Sequence, residues 1–340
     1  MILTSEEELE DFLSRPSEAD ARLMESLEGP LLILGAGGKM GPSLARRAVR
    51  AAEQAGVNRR VIAVSRFSNP VAQQRLRDWG VETLSADLLD REQLGALPEA
   101  PHIIYLAARK FGSTGAEHLT WGMNAWLPGL VAERYRYSRI VALSSGNIYP
   151  LLPVTSGGAV EETRLEPVGE YGQSVLARER IFEFFSSRYG TPVCLVRLNY
   201  AVELRYGVLL DIGLAVFERR PVDLSMGNVN VIWQGDANSV ILRSFALCSS
   251  PPQTLNLTGP ETLSVRYIAE RFGKLFGIEP QFEGAEAPTA LLNNAAKCHR
   301  LFGYPSVTPE QLIEWTASWI GMGGVTHGKP TKFNVRDGKF

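Results

Sequence analysis

The chain has 340 residues, 45% of them apolar and 21% charged, with a formal net charge of −2. This length suits one large domain or two ordinary ones, and the composition is that of a chain with a sizeable core. The near-balanced charge gives no electrostatic footprint for nucleic acid or an anionic membrane, and no apolar run approaches the ~18–20 residues of a membrane span.

The first 28 residues form an acidic arm, with nine acids against Arg15 and Arg22. Ser5 followed by Glu8, and Ser17 followed by Asp20, read as capped helix starts. The arm is either a solvated, partner-facing element or a helical extension packed on the first domain. Its start lacks a basic-then-apolar leader, so a cytoplasmic protein is expected. Cys194, Cys248 and Cys298 sit in no metal or redox spacing and read as buried thiols of a reducing compartment. His102, His118, His299 and His327 are equally scattered, and no metal site is expected.

From residue 30 onward, short apolar runs alternate with helical patterns. Strands are expected at 30–34, 60–64, 81–84, 102–106, 140–143 and 193–198. Helices are expected at 39–55, 71–79, 122–136 and 171–188. Such alternation predicts an α/β fold with a parallel sheet covered on both faces. Beyond Tyr200 the pattern loosens. A helix is expected over 206–218, a strand over 229–233, a helix over 237–248 and a short strand over 255–257. Ser264 caps a helix to 276, and a last helix spans 309–320. The expected division is a dinucleotide-binding domain of 30–199 plus 229–250 and a smaller α/β substrate domain of 200–228 plus 251–320. Residues 321–340 read as a Gly-rich tail with little core of its own.

Leu31–Leu34 runs directly into Gly35-Ala-Gly37-Gly38-Lys39-Met40-Gly41, then Pro42 and a helix. Strand before and helix after is the context in which glycines let backbone approach a pyrophosphate at a helix N-terminus. The second strand ends in Ser65-Arg66, where an NAD site usually carries an acid for the ribose diol. Arginine pairs bidentately with a 2′-phosphate, so NADP is favoured over NAD. The alternative for Arg66 is adenine stacking or plain solvation. Asp87, three residues after Leu84, is placed for an adenine amino group or for a turn.

Together these residues resemble the extended short-chain dehydrogenase/reductase superfamily, specifically its NAD-dependent epimerase/dehydratase group, over about residues 30–320. Ala86-Asp87-Leu88 is similar to its adenine site. Tyr105-Leu106-Ala107-Ala108 resembles the strand-four motif beside the cofactor, with Lys110 where sugar epimerases often contact phosphate. Asn124 matches the asparagine that props the active site. Leu143-Ser144-Ser145-Gly146-Asn147-Ile148-Tyr149 resembles the strand-five motif, and Trp233–Ala237 and Leu255–Pro260 resemble later segments. The resemblance implies a Rossmann-type doubly wound sheet and a homodimer formed through helices 122–136 and 171–188. It also implies hydride transfer on a hydroxyl or ketone of a sugar, nucleotide sugar or related polyol. Ser145 would bond the substrate oxygen and Tyr171 would exchange its proton.

Three departures matter. The family's Tyr-x-x-x-Lys becomes Tyr171-Gly-Gln-Ser-Val175, which removes the cation that lowers the tyrosine pKa and holds the nicotinamide ribose. Arg178, at i+7, lies on the same helix face but a further turn along, out of reach of Tyr171. Gly146-Asn147 replaces the Asp-Glu of sugar dehydratases, and neither residue titrates, so water elimination is not expected. Finally, Arg197–Ala201 departs from the family's next motif. Asn147, Asn199, Tyr200, Glu203 and Arg205 therefore read equally as substrate ligands or loop structure. A dinucleotide-binding sensor or scaffold without turnover is the alternative function, and Val175 is the residue that favours it.

Overall fold

The computed structural model describes residues 3–340. Seven strands form the central sheet: β1 (Leu31–Leu34), β2 (Val61–Ser65), β3 (Glu82–Ser85), β4 (His102–Tyr105), β5 (Arg139–Ser145), β6 (Val193–Leu198) and β7 (Gln253–Leu257). Their order is β7-β6-β5-β4-β1-β2-β3, and every pairing is parallel. β1 and β4 are buried along their whole length, which explains their unbroken apolar runs: strands covered on both faces need no alternation. The strand order reverses between β1 and β4, and ligands of doubly wound folds bind at such a switch. There Gly35 has a φ of +85°, and a Cβ on it would stand 2.6 Å from the Ala107 backbone nitrogen. Only glycine lets the two strand ends meet this closely.

The helices are α1 (Glu6–Leu13), α2 (Glu18–Ser26), α3 (Gly41–Gln54), α4 (Pro70–Asp78), α5 (Arg91–Ala96), α6 (Glu117–Trp121), α7 (Leu127–Arg134), α8 (Gly169–Tyr189), α9 (Val208–Phe217), α10 (Gln234–Arg243), α11 (Val265–Phe276), α12 (Ala296–Phe302) and α13 (Pro309–Gly321). A π-helical turn, Gly122–Trp126, joins α6 to α7. The short α5 and α12 were not expected from periodicity, since six or seven residues carry too few turns to show one.

The acidic arm is packed, not solvated. Leu9 and Leu13 enter the core of a second lobe built around α9, α11 and α13, while Met24 enters the core under the sheet. Asp20 is fully buried; Arg47 of α3 donates to it from Nε (3.0 Å) and Nη2 (2.6 Å), and Ser239 of α10 donates at 2.7 Å. These partners hold the Asp20 carboxyl below its ordinary pKa, although burial, the largest single influence, pushes the other way.

Two boundaries differ from expectation. Residues 253–257, expected in the substrate domain, form β7 and complete the sheet edge beside β6. The expected strand 229–233 is two. Asn228–Val229 pairs antiparallel with Leu263–Ser264, and Ile232–Trp233 pairs parallel with Ala201–Val202. Asn230 interrupts them, using its side chain to bond Glu261 and Asn293 backbone instead of a ladder.

The last segment is also more than a tail. Thr331 donates its backbone N–H and hydroxyl to Asp211, Asn334 reaches Asp223, and Arg336 reaches Thr289 and Ser225. Phe333 and Phe340 are both buried. The segment runs across the second lobe and ends against α8, where Gly338 and Gly169 pack backbone to backbone.

Candidate active site

Two connected stretches of cleft lie over the C-terminal strand ends. The first, about 320 Å³, is lined by Gly35, Gly37, Gly38, Ser65, Arg66, Asp87, Leu88, Leu106, Ala107 and Ala108. These are the residues the glycine loop and the strand-end motifs single out in the sequence. α3 begins here at Gly41-Pro42 with no side-chain cap; the Gly41 N–H turns back to the Gly38 carbonyl and Pro42 brings none, so the helix start offers an anion its dipole behind the glycine-loop backbone. A Cβ on Gly41 would sit 2.1 Å from the Ala36 carbonyl oxygen, which keeps the turn tight. Asp87 spends one carboxylate oxygen on the Leu89 N–H, as a turn aspartate does, while still facing the cleft. An uncapped helix start, a glycine backbone and apolar walls fit a dinucleotide.

The second stretch, about 200 Å³, is lined among others by Lys39, Met40, Lys110, Ser145, Asn147, Tyr171, Arg178, Asn199, Tyr200, Tyr206 and Thr331. Ser145 ends β5, and its Oγ lies 3.0 Å from Asn147 Oδ1 and 3.2 Å from the Asn147 nitrogen. Tyr171, in the first turn of α8, is buried. Burial raises its phenol above the usual pKa, opposed chiefly by the Arg178 charge.

Asn124 is the hub behind this pair. It lies in the π-helical turn, a distortion often found at functional positions. Its Oδ1 accepts from the Arg109 N–H (2.9 Å) and Arg178 Nη2 (2.9 Å), and its Nδ2 donates to the Arg109 carbonyl (2.8 Å) and Ser174 Oγ (3.0 Å). Ser174 in turn donates to the Tyr171 carbonyl at 2.9 Å. Asn124 thus ties α8, the strand-four loop and the π turn into one rigid frame.

Arg178 lines the same cavity as Tyr171, although the two make no direct hydrogen bond. Its Cα lies two turns further along α8. However, helical side chains lean toward the N-terminus, so a long one covers the turn before its own Cα. The guanidinium folds back into the Tyr171 cavity, where Nη1 donates to the Leu143 carbonyl at 2.7 Å. Val175 meanwhile is fully buried in an apolar cluster with Tyr171, Ile148, Tyr149, Ala159 and Phe340.

Two lysines supply further positive charge. Lys39 Nζ donates to the Ala201 carbonyl at 2.8 Å and sits 4.0 Å from the Tyr206 ring centroid. Desolvation pulls its pKa down to about 7. Lys110 lies 5.7 Å from the Tyr171 ring centroid and 4.4 Å from that of Phe340, with its pKa pulled to about 8 by desolvation and by Lys332. Asn199 and Tyr200 do line the cavity, Tyr200 in the left-handed region at φ +43°.

Arg205 does not belong with them. It bonds Glu203 (3.1 Å) and Glu10 (2.8 Å), locking the arm to the second lobe, and its place as a substrate candidate is withdrawn. Glu203 is likewise committed to Arg205 and His327.

The family model described as the NAD dependent epimerase/dehydratase family matches residues 31–202, from β1 through the strand end after Tyr200. The chain belongs to that family. Among solved structures, a UDP-glucose 4-epimerase of Thermotoga maritima aligns at 16% identity, covering 86% of this chain and 99% of that one, with a TM-score of 0.70. A UDP-glucuronic acid 4-epimerase of Bacillus cereus, in complex with UDP-glucuronic acid and NAD, aligns at 16%, 86% and 99%, TM-score 0.71. A dTDP-glucose 4,6-dehydratase of Bacillus anthracis, in complex with NAD, aligns at 17%, 86% and 97%, TM-score 0.71. At these identities the likeness is one of fold. No curated protein sequence matches the chain.

Within the epimerase/dehydratase frame, this member brings together Ser145, Tyr171, Asn124 and Lys110, all legible in its sequence. It adds Arg178, Tyr206, Thr331 and Phe340, which were not. Tyr206 and Thr331 follow the last family motif, where no spacing rule applies. Phe340 is carried by a segment whose composition resembles a linker.

Proposed function

We propose that the protein is an NAD(P)-dependent oxidoreductase or epimerase that interconverts a hydroxyl and a ketone on a sugar, nucleotide sugar or related polyol. The observation that carries this reading is that Ser145 and Tyr171 line one cavity with two lysines, beside the glycine-loop cleft. The loop 35–41, Leu106–Ala108 and Asp87 would hold the dinucleotide, and the bound nicotinamide would supply or accept hydride.

Ser145 is placed to donate to the substrate oxygen, trading its contact with Asn147 for that bond. Tyr171 gives a proton to this oxygen when a ketone is reduced and takes one when an alcohol is oxidised. Because burial keeps the phenol neutral at pH 7, Tyr171 is the better acid there, and oxidation gains speed only at alkaline pH. Lys39 and Lys110 favour an anionic substrate, which would return their amines to the charged form. That preference fits the sugar nucleotides named in the epimerase structures. Gly146-Asn147 offers no titrating pair for water elimination, so the reading is epimerisation or oxidoreduction and not dehydration. At the adenosine ribose, Ser65 and Arg66 in place of an acid support NADP(H) as the tighter coenzyme.

The test incubates the purified protein with NAD(P) and a panel of UDP- and dTDP-linked hexoses and keto-hexoses. Reduced-nicotinamide absorbance and the proton spectrum of the sugar are followed. One sugar nucleotide should reduce the bound coenzyme or invert a carbinol carbon. Tight dinucleotide binding with no change in any sugar would reject the enzyme reading in favour of a dinucleotide-binding sensor or scaffold.

A further inference from the structure

The absent lysine leaves two tasks without an owner: a positive charge beside the tyrosine and a donor for the nicotinamide ribose. Val175 performs neither, since its methyl groups are enclosed by apolar neighbours. Arg178 stands in the right place. Only 3% of its surface is exposed, it lines the Tyr171 cavity, and it has no acidic partner among the described residues. A buried guanidinium without a counter-ion is costly and calls for a functional reason. Two of its nitrogens are spent on fixed protein oxygens, Leu143 O and Asn124 Oδ1. Those bonds, with the Tyr105 ring 5.6 Å away, fix the fork in the cavity wall. Each Nη still carries a second N–H, and the Nε–H is also without a protein partner. A guanidinium not fully bonded by the protein keeps donor capacity for a ligand oxygen.

We propose that Arg178 is the substitute for the missing lysine, with its guanidinium supplying the charge beside Tyr171 and an unspent guanidinium N–H serving a hydroxyl of the nicotinamide ribose. The inference rests on the dinucleotide reading above and specifies which side chain of this chain completes that site. Arg178 acts on Tyr171 through space and on the ribose by contact. A guanidinium keeps its charge at every working pH, so the field at Tyr171 is constant where a buried lysine's would titrate.

The test separates the nicotinamide half of the coenzyme from the adenosine half. Calorimetric titration with NADH and with ADP, which lacks the nicotinamide ribose, is made on the parent protein, Arg178→Gln and Arg178→Lys. The glutamine variant should bind NADH roughly ten- to a hundredfold more weakly, the loss of one charged hydrogen bond, with ADP binding unchanged. The lysine variant should recover most of the NADH affinity. Equal weakening of both ligands would make Arg178 a structural residue only, and unchanged NADH binding would remove it from the site altogether. Should the glutamine variant fail to fold, the parent decides alone: NADH lacking the nicotinamide-ribose hydroxyls should bind at least several-fold more weakly than NADH, and equal affinity overturns the inference. Failure of the parent to bind either NADH or ADP would instead reject the dinucleotide reading itself.

Discussion

At the scale of single residues, the site depends on where charge is allowed. Val175 occupies the position of a cation yet is enclosed with Ile148, Tyr149 and Ala159. Restoring the family residue by Val175→Lys should therefore not restore its role. It should bury an uncompensated ammonium and cost about 3–5 kcal/mol of stability, read as a fall in the urea midpoint. A variant as stable as the parent would show that the ammonium reaches the cavity. Arg66, exposed at the adenosine end, is the opposite case, a charge with room for a ligand. Arg66→Ala should weaken NADP(H) by about 1–3 kcal/mol and leave NAD(H) nearly unchanged. Calorimetry giving NAD(H) as the tighter ligand of the parent would remove the proposed 2′-phosphate contact.

At the scale of elements, a buried polar network beneath the site joins β5, α8, β6 and β7. Ser144 donates to Glu179 at 2.5 Å, Arg197 donates to Glu179 and to the Tyr149 hydroxyl at 2.7 Å, and Tyr149 donates to Asn256 at 2.8 Å. This explains why Tyr149, within the strand-five motif, is structural while Ser145 faces the cleft. The final segment acts as a strap over the same region. Its two buried phenyl rings, Phe333 and Phe340, contribute about 1.5–3 kcal/mol each. Removing residues 331–340 should thus cost about 3–6 kcal/mol and expose the Tyr171 ring, which packs edge-on against Phe340 at 5.6 Å between centroids. An unchanged denaturation midpoint would show that the strap carries no stability.

Most elements before Tyr200, though not the short α5, are legible because they are long, periodic or bounded by glycine, and the site residues among them sit in ordered motifs. The strap was not legible, since it is fixed by contacts made 100 or more positions away in the chain, Thr331 with Asp211, Asn334 with Asp223 and Phe340 with Tyr171. Arg178 was missed for a different reason: spacing along a helix gives the Cα position, whereas a long side chain reports from the turn before it.

At the scale of the whole molecule, the helices that frame the active site also present apolar surface outward. Trp126 on the π turn is 55% exposed and Phe184 on α8 is 60% exposed, with Leu119 and Trp121 nearby on α6. Such a face suits a two-fold pairing of α6–α7 and α8 with their counterparts in a second copy. Light scattering at micromolar concentration should give a dimer, and a monomer would count decisively against this arrangement. The same α8 carries Tyr171, so assembly and chemistry share one rigid element. The central claim, that this element performs the proton step of hydride transfer, is tested most directly by coenzyme reduction in the parent and Tyr171→Phe proteins. The rate of reduction by an accepted sugar nucleotide is followed across pH. The parent should show an alkaline limb, rising as the buried phenol ionises. Tyr171→Phe should lose roughly 10²–10⁴ in rate, the usual worth of a general acid–base, with dinucleotide binding intact. Reduction by Tyr171→Phe at the parental rate would contradict the account.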